Sequence, residues 1–135
     1  MAQVSVEHPN ATLFRRGYDA FNSGDMDTVR ETFDENIVWH TGGRNRFSRD
    51  SHGIDDTLAF FMELIQATNG TFHLEVHDII ANDEHAVALV TSKAEVNGRT
   101  LESRGAHAVH VKDGKVTESW YFDWDPYQFD EAFPA

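Results

Sequence analysis

The stretch that decides the fold is "HAVHVKDGKVTESWYFDWD", from His107 to Asp125. Two runs with apolar residues at alternate positions flank Asp113-Gly114, and such alternation is typical of strands with one buried face. An Asp-Gly pair between two strands favours a two-residue type I′ turn, because both turn residues need a positive φ. The sequence therefore predicts an antiparallel hairpin in which Lys112 lies opposite Lys115.

Counting outward from this turn assigns a partner and a face to each residue of the two strands. Val109 then lies opposite Glu118, and His107 lies opposite Trp120. Uninterrupted alternation places these four residues on one face, together with Phe122. A histidine and a carboxylate on an apolar face form either an acid/base pair or a hydrogen-bonded pair that only satisfies the core. The sequence leaves both interpretations of the His107–Glu118 pair open.

A second hairpin precedes the first. Asn97-Gly98 is another type I′ signal, and it separates strands predicted over 86–96 and 100–111. The face shared with His107 then carries many small side chains, which leave space beside larger ones, so we expect a pocket on this face. The small residues on the earlier strand are Ala86, Ala88, Val90, Ser92 and Ala94. The strand before them, 72–81, adds Asp78 to the same face, where it either lines the pocket or caps a turn.

The first half of the chain has helical periodicity. Apolar residues at helical spacing predict a helix over 10–23, which Gly24 ends, and Asp25 begins a second, short helix. "NIVWHT" (36–41) predicts a strand, and a third helix follows, ending near Asn69-Gly70. Helices and strands segregated in this way predict an α+β fold, in which a curved antiparallel sheet forms a cone covered by three N-terminal helices. We expect one domain over 1–135, with its core between about 10 and 125.

The composition of the chain excludes several classes of protein. Its 135 residues include no cysteine, and its formal net charge is −12. A chain without cysteine has no disulfide, thiolate metal site or thiol nucleophile, and it suits the reducing cytoplasm, where we expect it. An acidic surface repels phosphate backbones, so we expect no nucleic-acid partner. No apolar run approaches the roughly 20 residues of a membrane span, so we expect no membrane partner.

No motif for a cofactor is present. The sequence contains neither a phosphate-binding loop nor a dinucleotide fingerprint, so we expect no cofactor. His73 and His77 flank Glu75 on one strand, but this is the face predicted to be outside, so we expect no metal site either.

Three segments carry a family resemblance. They are "YDAFNSGDMDTVRETFDENIVWHTGG" (18–43), "GIDDTLAFF" (53–61) and "HAVHVKDGKVTESWYF" (107–122). In sequence and in the order of elements they resemble the nuclear transport factor 2-like superfamily, and more narrowly its SnoaL-like, ketosteroid-isomerase-related proteins. The resemblance covers the chain from about Leu13 to Phe122. It implies a cystatin-like α+β barrel with a cone-shaped pocket and a homodimer formed through the sheet, but this fold hosts many activities.

The resemblance implies catalytic candidates without fixing the mechanism. SnoaL-type cyclases use an acid near the end of the last strand, for which this chain offers Glu118 and Asp123. Strict alternation directs Asp123 outward unless a bulge turns it in, so Glu118 is the preferred candidate. In ketosteroid isomerases a tyrosine of the first helix donates to the oxyanion, and Tyr18 is one place from that position. The isomerase aspartate has no counterpart here, because its neighbourhood reads Trp39-His40-Thr41.

Other residues are candidates for the pocket itself. His40 ends a strand beside a Gly-Gly loop, and it is either a base at the pocket mouth or a structural hydrogen-bond partner of the loop. The expected walls and oxygen-orienting groups are Tyr18, Trp39, Phe61, Asp78, Trp120 and Phe122.

Two classes of function follow. The first is a cofactor-independent enzyme that moves a proton on a hydrophobic, cyclic or polyketide-like molecule, with Glu118, His107, His40 or Asp123 as the acid or base. The second is a module of the same fold that binds a ligand or another protein without chemistry. On either hypothesis, the opposite face of the sheet, half apolar and half charged, is the expected dimer surface. Its residues include Leu89, Ala106, Ala108 and Tyr121, beside Arg104 and Asp123.

Overall fold

The computed structural model of the chain describes residues 7–135. The helices are α1 (Pro9–Ser23), α2 (Met26–Thr32), α3 (Ile54–Ala67) and α4 (Pro126–Ala132). The strands are β1 (Phe33–Thr41), β2 (Arg49–His52), β3 (His73–Ala81), β4 (His85–Val96), β5 (Arg99–Lys112) and β6 (Lys115–Asp123). The α+β class is confirmed, and so are the three helices predicted in the first half of the chain. β2 and α4 were not predicted.

Local signals set the ends of the first two helices. Pro9 opens α1, and the His8 ring accepts a hydrogen bond from the Asn10 amide. Gly24 ends this helix with a φ of 77°, a left-handed conformation that costs glycine little. Asp25 then caps α2 by accepting from the Thr28 amide. The turn between α1 and α2 is therefore specified by two adjacent residues.

The six strands form one sheet in the order β2-β1-β6-β5-β4-β3. Four of the five neighbouring pairs are antiparallel, but β1 and β6 run parallel, which corrects the expectation of a wholly antiparallel sheet. The parallel pair arises because the chain crosses from β1 through α3 and the β3–β5 meander before β6 returns beside it. α1 and α3 pack on one face of the sheet, which we call the inner face, and the opposite face is the outer face.

A β-bulge in β6 changes the predicted faces. Next to the turn, Lys112 lies opposite Lys115 as expected, but beyond Thr117 the register shifts by one residue. His107 consequently faces Tyr121 instead of Trp120, and His110 faces Glu118. The extra residue reverses which side chains of β6 point to the inner face, since strand side chains alternate. The prediction that Glu118, Trp120 and Phe122 point inward is therefore wrong.

A second bulge, in β3, corrects the placement of Asp78. The register of β3 against β4 shifts between Val76 and Asp78. Ile79 takes the buried position, and Asp78 is exposed on the outer side, where it accepts from the Ile79 amide. Asp78 is therefore not a pocket residue.

The core lies between the inner face and the helices. It joins aromatic side chains of α1 and α3 to small residues of β4, as the alternation predicted. Within 7–135, no helix is long and apolar enough to cross a membrane. The small inner-face residues confirmed by burial are Ala86, Ala88, Val90 and Ala94.

Candidate functional site

The inner face and the helices enclose a cavity of about 530 Å³. This volume is within the range of small-molecule sites, and most of its lining is aromatic or aliphatic. Five of the six predicted wall residues line it, namely Tyr18, Trp39, Phe61, Trp120 and Phe122. Other apolar lining residues are Leu13, Phe14, Phe21, Phe33, Phe47, Phe60, Leu64, Phe72, Leu74 and Phe129. The cavity therefore favours an apolar ligand.

Three polar side chains form a closed hydrogen-bonded group in one wall of the cavity. His107 Nδ1 lies 2.5 Å from the Tyr18 hydroxyl, and its Nε2 lies 2.6 Å from Ser119 Oγ. Both ring nitrogens are thus satisfied whichever of them carries the proton. Burial lowers the pKa of His107 to about 3 and raises that of Tyr18 well above its ordinary value. The group is neutral near pH 7. The polar partner of His107 on β6 is therefore Ser119, not the predicted Glu118.

The end of β6 presents a second polar group to the cavity. Asp123 lines the cavity, and its Oδ1 accepts from the Ser103 hydroxyl and from the Asp125 amide. Oδ2 makes no hydrogen bond with any residue in 7–135. The bulge that Asp123 needed in order to face inward is thus present. One carboxylate oxygen is held in place while the other is available to a ligand.

Tyr121 lies on the same face, two residues before Asp123. Its hydroxyl is buried and lacks a hydrogen-bond partner among the described residues. Burial, followed by the charge of Asp123, raises the pKa of Tyr121 to about 12, while the nearby Ser92 hydroxyl acts in the opposite direction. Ser92 Oγ itself donates to the Ser103 carbonyl oxygen at 3.3 Å. The phenol is a protonated donor beside a carboxylate.

The unpredicted helix α4 covers one end of the cavity. Phe129 and Asp130 of this helix border it, together with the loop that follows β1. Asp130 Oδ1 accepts from the Arg44 amide at 2.8 Å and from Asn45 Nδ2 at 2.9 Å. Thr41 also lines this region, and its hydroxyl is another buried group without a partner in 7–135. The C-terminal helix is thus part of the site.

His40 and Glu118 meet on the outer face. His40 Nε2 lies 2.7 Å from Glu118 Oε2, and its Nδ1 lies 2.7 Å from Asp50 Oδ1. The ring also stacks on Trp120, at 5.2 Å between centroids. The hydrogen bond to Glu118, above all, raises the pKa of His40, because a ring between two carboxylates is stabilised as the imidazolium. His110 Nδ1 lies 3.6 Å from the other oxygen of Glu118.

The outer-face position corrects the roles predicted for these residues. Glu118 does not line the cavity. His40, Trp120 and Phe122 are among the residues that line it, but the register of β1 and β6 directs their side chains to the outer face, and Phe122 is 62% exposed. Trp120 and Phe122 are thus among the lining residues, as predicted, although the bulge in β6 turns their side chains to the outer face.

Sequence reasoning missed several polar residues of the cavity. Tyr121 was placed on the outer face, and Thr41 was not considered. Ser119 and Ser103, which hydrogen-bond to His107 and Asp123, were not considered either. One signal was available. We expected Asp123 to face inward only if β6 contained a bulge, and the same bulge also turns Tyr121 inward. Among the described residues, no three histidine, aspartate or glutamate side chains are grouped to hold a metal ion.

Comparison with known proteins identifies the family. The model of the SnoaL-like domain matches residues 14–119. The chain belongs to this family. Among solved structures, this SnoaL-like domain is similar to Bal32a, from a soil-derived mobile gene cassette, with 36% identity and a TM-score of 0.89. The similarity covers 93% of this chain and 96% of Bal32a.

Two further relatives are more distant. The uncharacterized protein Rv0034 of Mycobacterium tuberculosis H37Rv is 27% identical over 115 residues, which are 84% of this chain and 88% of Rv0034. A protein from Jannaschia sp. CCS1, described as a SnoaL-like polyketide cyclase, is 17% identical, with a TM-score of 0.76 and coverage of 100% of this chain and 98% of that one. At this identity the Jannaschia structure shows the fold alone. The expected superfamily and SnoaL-like fold are confirmed.

Proposed function

We propose that this SnoaL-like domain binds an apolar small molecule with a carbonyl or related oxygen in its cavity and moves a proton on it with Asp123. The observation that carries the proposal is the Asp123 carboxylate, which lines an aromatic cavity with one oxygen held and the other free of described partners. A carboxylate positioned in this way is suited to general acid/base chemistry.

The proposed step needs no co-reactant. Asp123 Oδ2 accepts a proton from a carbon adjacent to the ligand's carbonyl, and the C–H electron pair forms the enolate. The carboxylic acid then returns the proton to the same carbon or to another one, so that exchange or isomerisation results. If the enolate carbon instead attacks a second carbonyl of the same molecule, the acid protonates the new alkoxide and a ring closes. The description of the Jannaschia relative as a polyketide cyclase makes this last outcome a candidate.

The test uses 1-tetralone, a bicyclic ketone with exchangeable α-hydrogens, as a probe. In D₂O, loss of the α-hydrogen NMR signal reports proton transfer directly. We expect the wild-type protein to accelerate exchange and Asp123→Asn to lose on the order of 10²–10⁴-fold of that acceleration. Glu118→Gln is the matched control, because its carboxylate lies on the outer face, and it should exchange at the wild-type rate. Loss of exchange in Glu118→Gln but not in Asp123→Asn would contradict the proposal.

Binding without chemistry is the second candidate. The aromatic lining and the neutral Tyr18–His107–Ser119 group support it, since both suit retention of an apolar ligand. A wild-type protein that binds 1-tetralone in the cavity and leaves its exchange rate unchanged would favour this function over the enzymatic one.

We also propose that two copies associate through the outer face. Its centre is a run of apolar cross-strand neighbours, Leu89, Ala106 and Phe122, next to a parallel row of Val87, Ala108 and Trp120. Leu89 and Phe122 are exposed in the single chain. The alanines allow close approach of a second sheet, and a contiguous apolar face of this kind is typical of an interaction surface. Tyr121 and Asp123, expected on this face, belong instead to the cavity.

A further inference from the structure

Gly17 interrupts a row of large side chains on α1. The residues of this helix that line the cavity recur along one side of it, and they are Leu13, Phe14, Gly17, Tyr18 and Phe21. Every other member of the row is aromatic or a leucine. A glycine in the interior of a helix destabilises it relative to alanine, because glycine loses more backbone freedom on folding. Its presence in this row therefore calls for a reason.

The missing side chain of Gly17 leaves space beside the helix. A Cβ at position 17 would lie 3.3 Å from Thr32 Oγ1 and 3.9 Å from Thr32 Cβ. Apart from its chain neighbours and the α1 backbone, it would meet no other atom of 7–135 within 4 Å. Gly17 is also partly accessible, whereas its neighbours Phe14 and Tyr18 in the row are buried. Gly17 therefore forms the floor of a notch in the cavity wall, and Thr32 of α2 is the close side of this notch.

The notch and Asp123 lie toward opposite ends of β6. Thr32 directly precedes Phe33, which pairs with Val116 near the beginning of this strand. Asp123 is the last residue of the same strand, and all four of these residues line the cavity. A ligand whose oxygen lies at Asp123 therefore extends its apolar part along β6 toward the notch.

We infer that Gly17 is a specificity-determining residue, whose missing side chain admits the far end of an elongated apolar ligand. The inference rests on the proposed function, in which Asp123 acts on the oxygen-bearing end of the same ligand. It narrows the substrate class to ketones with several rings or a long apolar part. A larger side chain at position 17 fills the notch and leaves the polar groups of the cavity in place.

The experiment compares 1-tetralone with its dihydrophenanthrenone homologue, which carries one more fused benzene ring. Calorimetry measures both affinities for the wild type, Gly17→Ala, Gly17→Leu and the control Asp19→Leu, which places a leucine at an exposed position of α1. The quantity of interest is the affinity for the larger ketone divided by that for the smaller one. We expect Gly17→Leu to lower this ratio by roughly tenfold or more, the size of a steric mismatch in an apolar pocket. Gly17→Ala should lower it by less, and Asp19→Leu should leave it unchanged.

A second background separates this role from a purely structural one, in which glycine only lets α1 approach α2. In Thr32→Ala the oxygen that would lie 3.3 Å from the added methyl group is absent, so Gly17→Ala meets no close atom there. We expect Gly17→Ala to lower the affinity ratio in this background as well. A ratio that falls only when Thr32 is present would show that the alanine acts by displacing the Thr32 side chain, and it would overturn the inference.

Stability supplies a readout independent of any ligand. In the Thr32→Ala background, Gly17→Ala should raise the midpoint of urea unfolding, because alanine favours a helix more than glycine does. A lowered midpoint would overturn the inference, since it would reveal that the packing of α1 itself requires glycine.

The binding results also decide between the inference and the proposed function. Binding of both ketones with a ratio that Gly17→Leu leaves unchanged would overturn the inference, and so would a wild type that binds 1-tetralone but not the larger ketone. Should Gly17→Leu not fold, Gly17→Ala carries the same test. Failure of the wild type to bind either ketone would instead count against the proposed cavity function, and the inference would fall with it.

Discussion

The Tyr18 hydroxyl and the His107 ring form a buried pair, 2.5 Å apart, that joins α1 to the centre of β5. Tyr18→Phe removes one partner and leaves His107 Nδ1 without a hydrogen bond. We expect the free energy of unfolding to fall by roughly 1–3 kcal/mol, the cost of orphaning a buried polar atom. Urea unfolding at pH 7 measures it. An unchanged stability for Tyr18→Phe would contradict the pairing.

His107 should make the fold sensitive to acid. Its pKa is about 3 in the folded chain and 6.5 ordinarily, so between these values the unfolded chain binds a proton that the folded chain does not. The contribution of neutral His107 to stability is therefore complete above pH 6.5 and is lost as the pH falls toward 3, by roughly 1 kcal/mol per pH unit.

The measurement is urea unfolding from pH 7 to pH 4.5 for the wild type and for His107→Gln. The variant should lack this part of the pH dependence. Should the variant not fold, the ¹⁵N shifts of the His107 ring provide the same test, since they should report a neutral ring at pH 5. A protonated ring at that pH would contradict the account.

His40 should make the stability of the fold depend on pH in the opposite direction. Its pKa is raised, first by the hydrogen bond to Glu118, so the folded chain holds a proton that the unfolded chain releases. The stabilising contribution is present below the ordinary pKa of 6.5 and is lost as the pH rises through the raised value. The deficit of His40→Gln in unfolding free energy should therefore shrink above pH 6.5. The exposed His52 on the neighbouring strand supplies the matched substitution, His52→Gln.

A charge on the outer face should separate the proposed dimer. Leu89 is 38% exposed at the centre of the apolar run, and Met62 on α3 is 43% exposed, away from the sheet's outer face. We expect light scattering to give the mass of a dimer for the wild type and for Met62→Arg, and that of a monomer for Leu89→Arg. A monomeric wild type, or a dimeric Leu89→Arg, would overturn the proposed interface.

Local signals predicted most of the elements. Asn97-Gly98 and Asp113-Gly114 form the expected turns, with positive φ at all four residues, and the pairing of β4 with β5 is the one counted from the first turn. Gly24 and Asp25 likewise separate α1 from α2. In each case the information lies in two adjacent residues whose backbone preference is strong.

The bulges were not predictable in the same way. Thr117 and the His77-Asp78 step carry no glycine or proline, and their side chains fit a regular strand equally well. What decides the register there is tertiary packing: Val116, Ser119 and Ile79 are buried on the inner face, while Glu118 meets His40 of a strand 78 residues away in sequence. A shift of one residue therefore turns Asp123 to the inner face and Glu118 to the outer face.

The missed elements have different causes. β2 is a short polar strand, "RDSH", which pairs with β1 at the edge of the described sheet, so no periodicity reveals it. α4 had a signal, because Pro126 occupies the first helical position and follows an aspartate. Phe129 and Phe133 then pack against Phe47. The C-terminal side of the cavity could have been foreseen from that pattern.

The register of β5 against β6 tests the central claim most directly, because the bulge at Thr117 is what places Tyr121 and Asp123 in the cavity. Backbone NOEs of the assigned protein in solution measure this register. The account predicts cross-strand contacts between His107 and Tyr121, and between His110 and Glu118. Contacts between His107 and Trp120, and between Val109 and Glu118, would mean that no bulge exists. Glu118 would then face inward, and the proposed site would be contradicted.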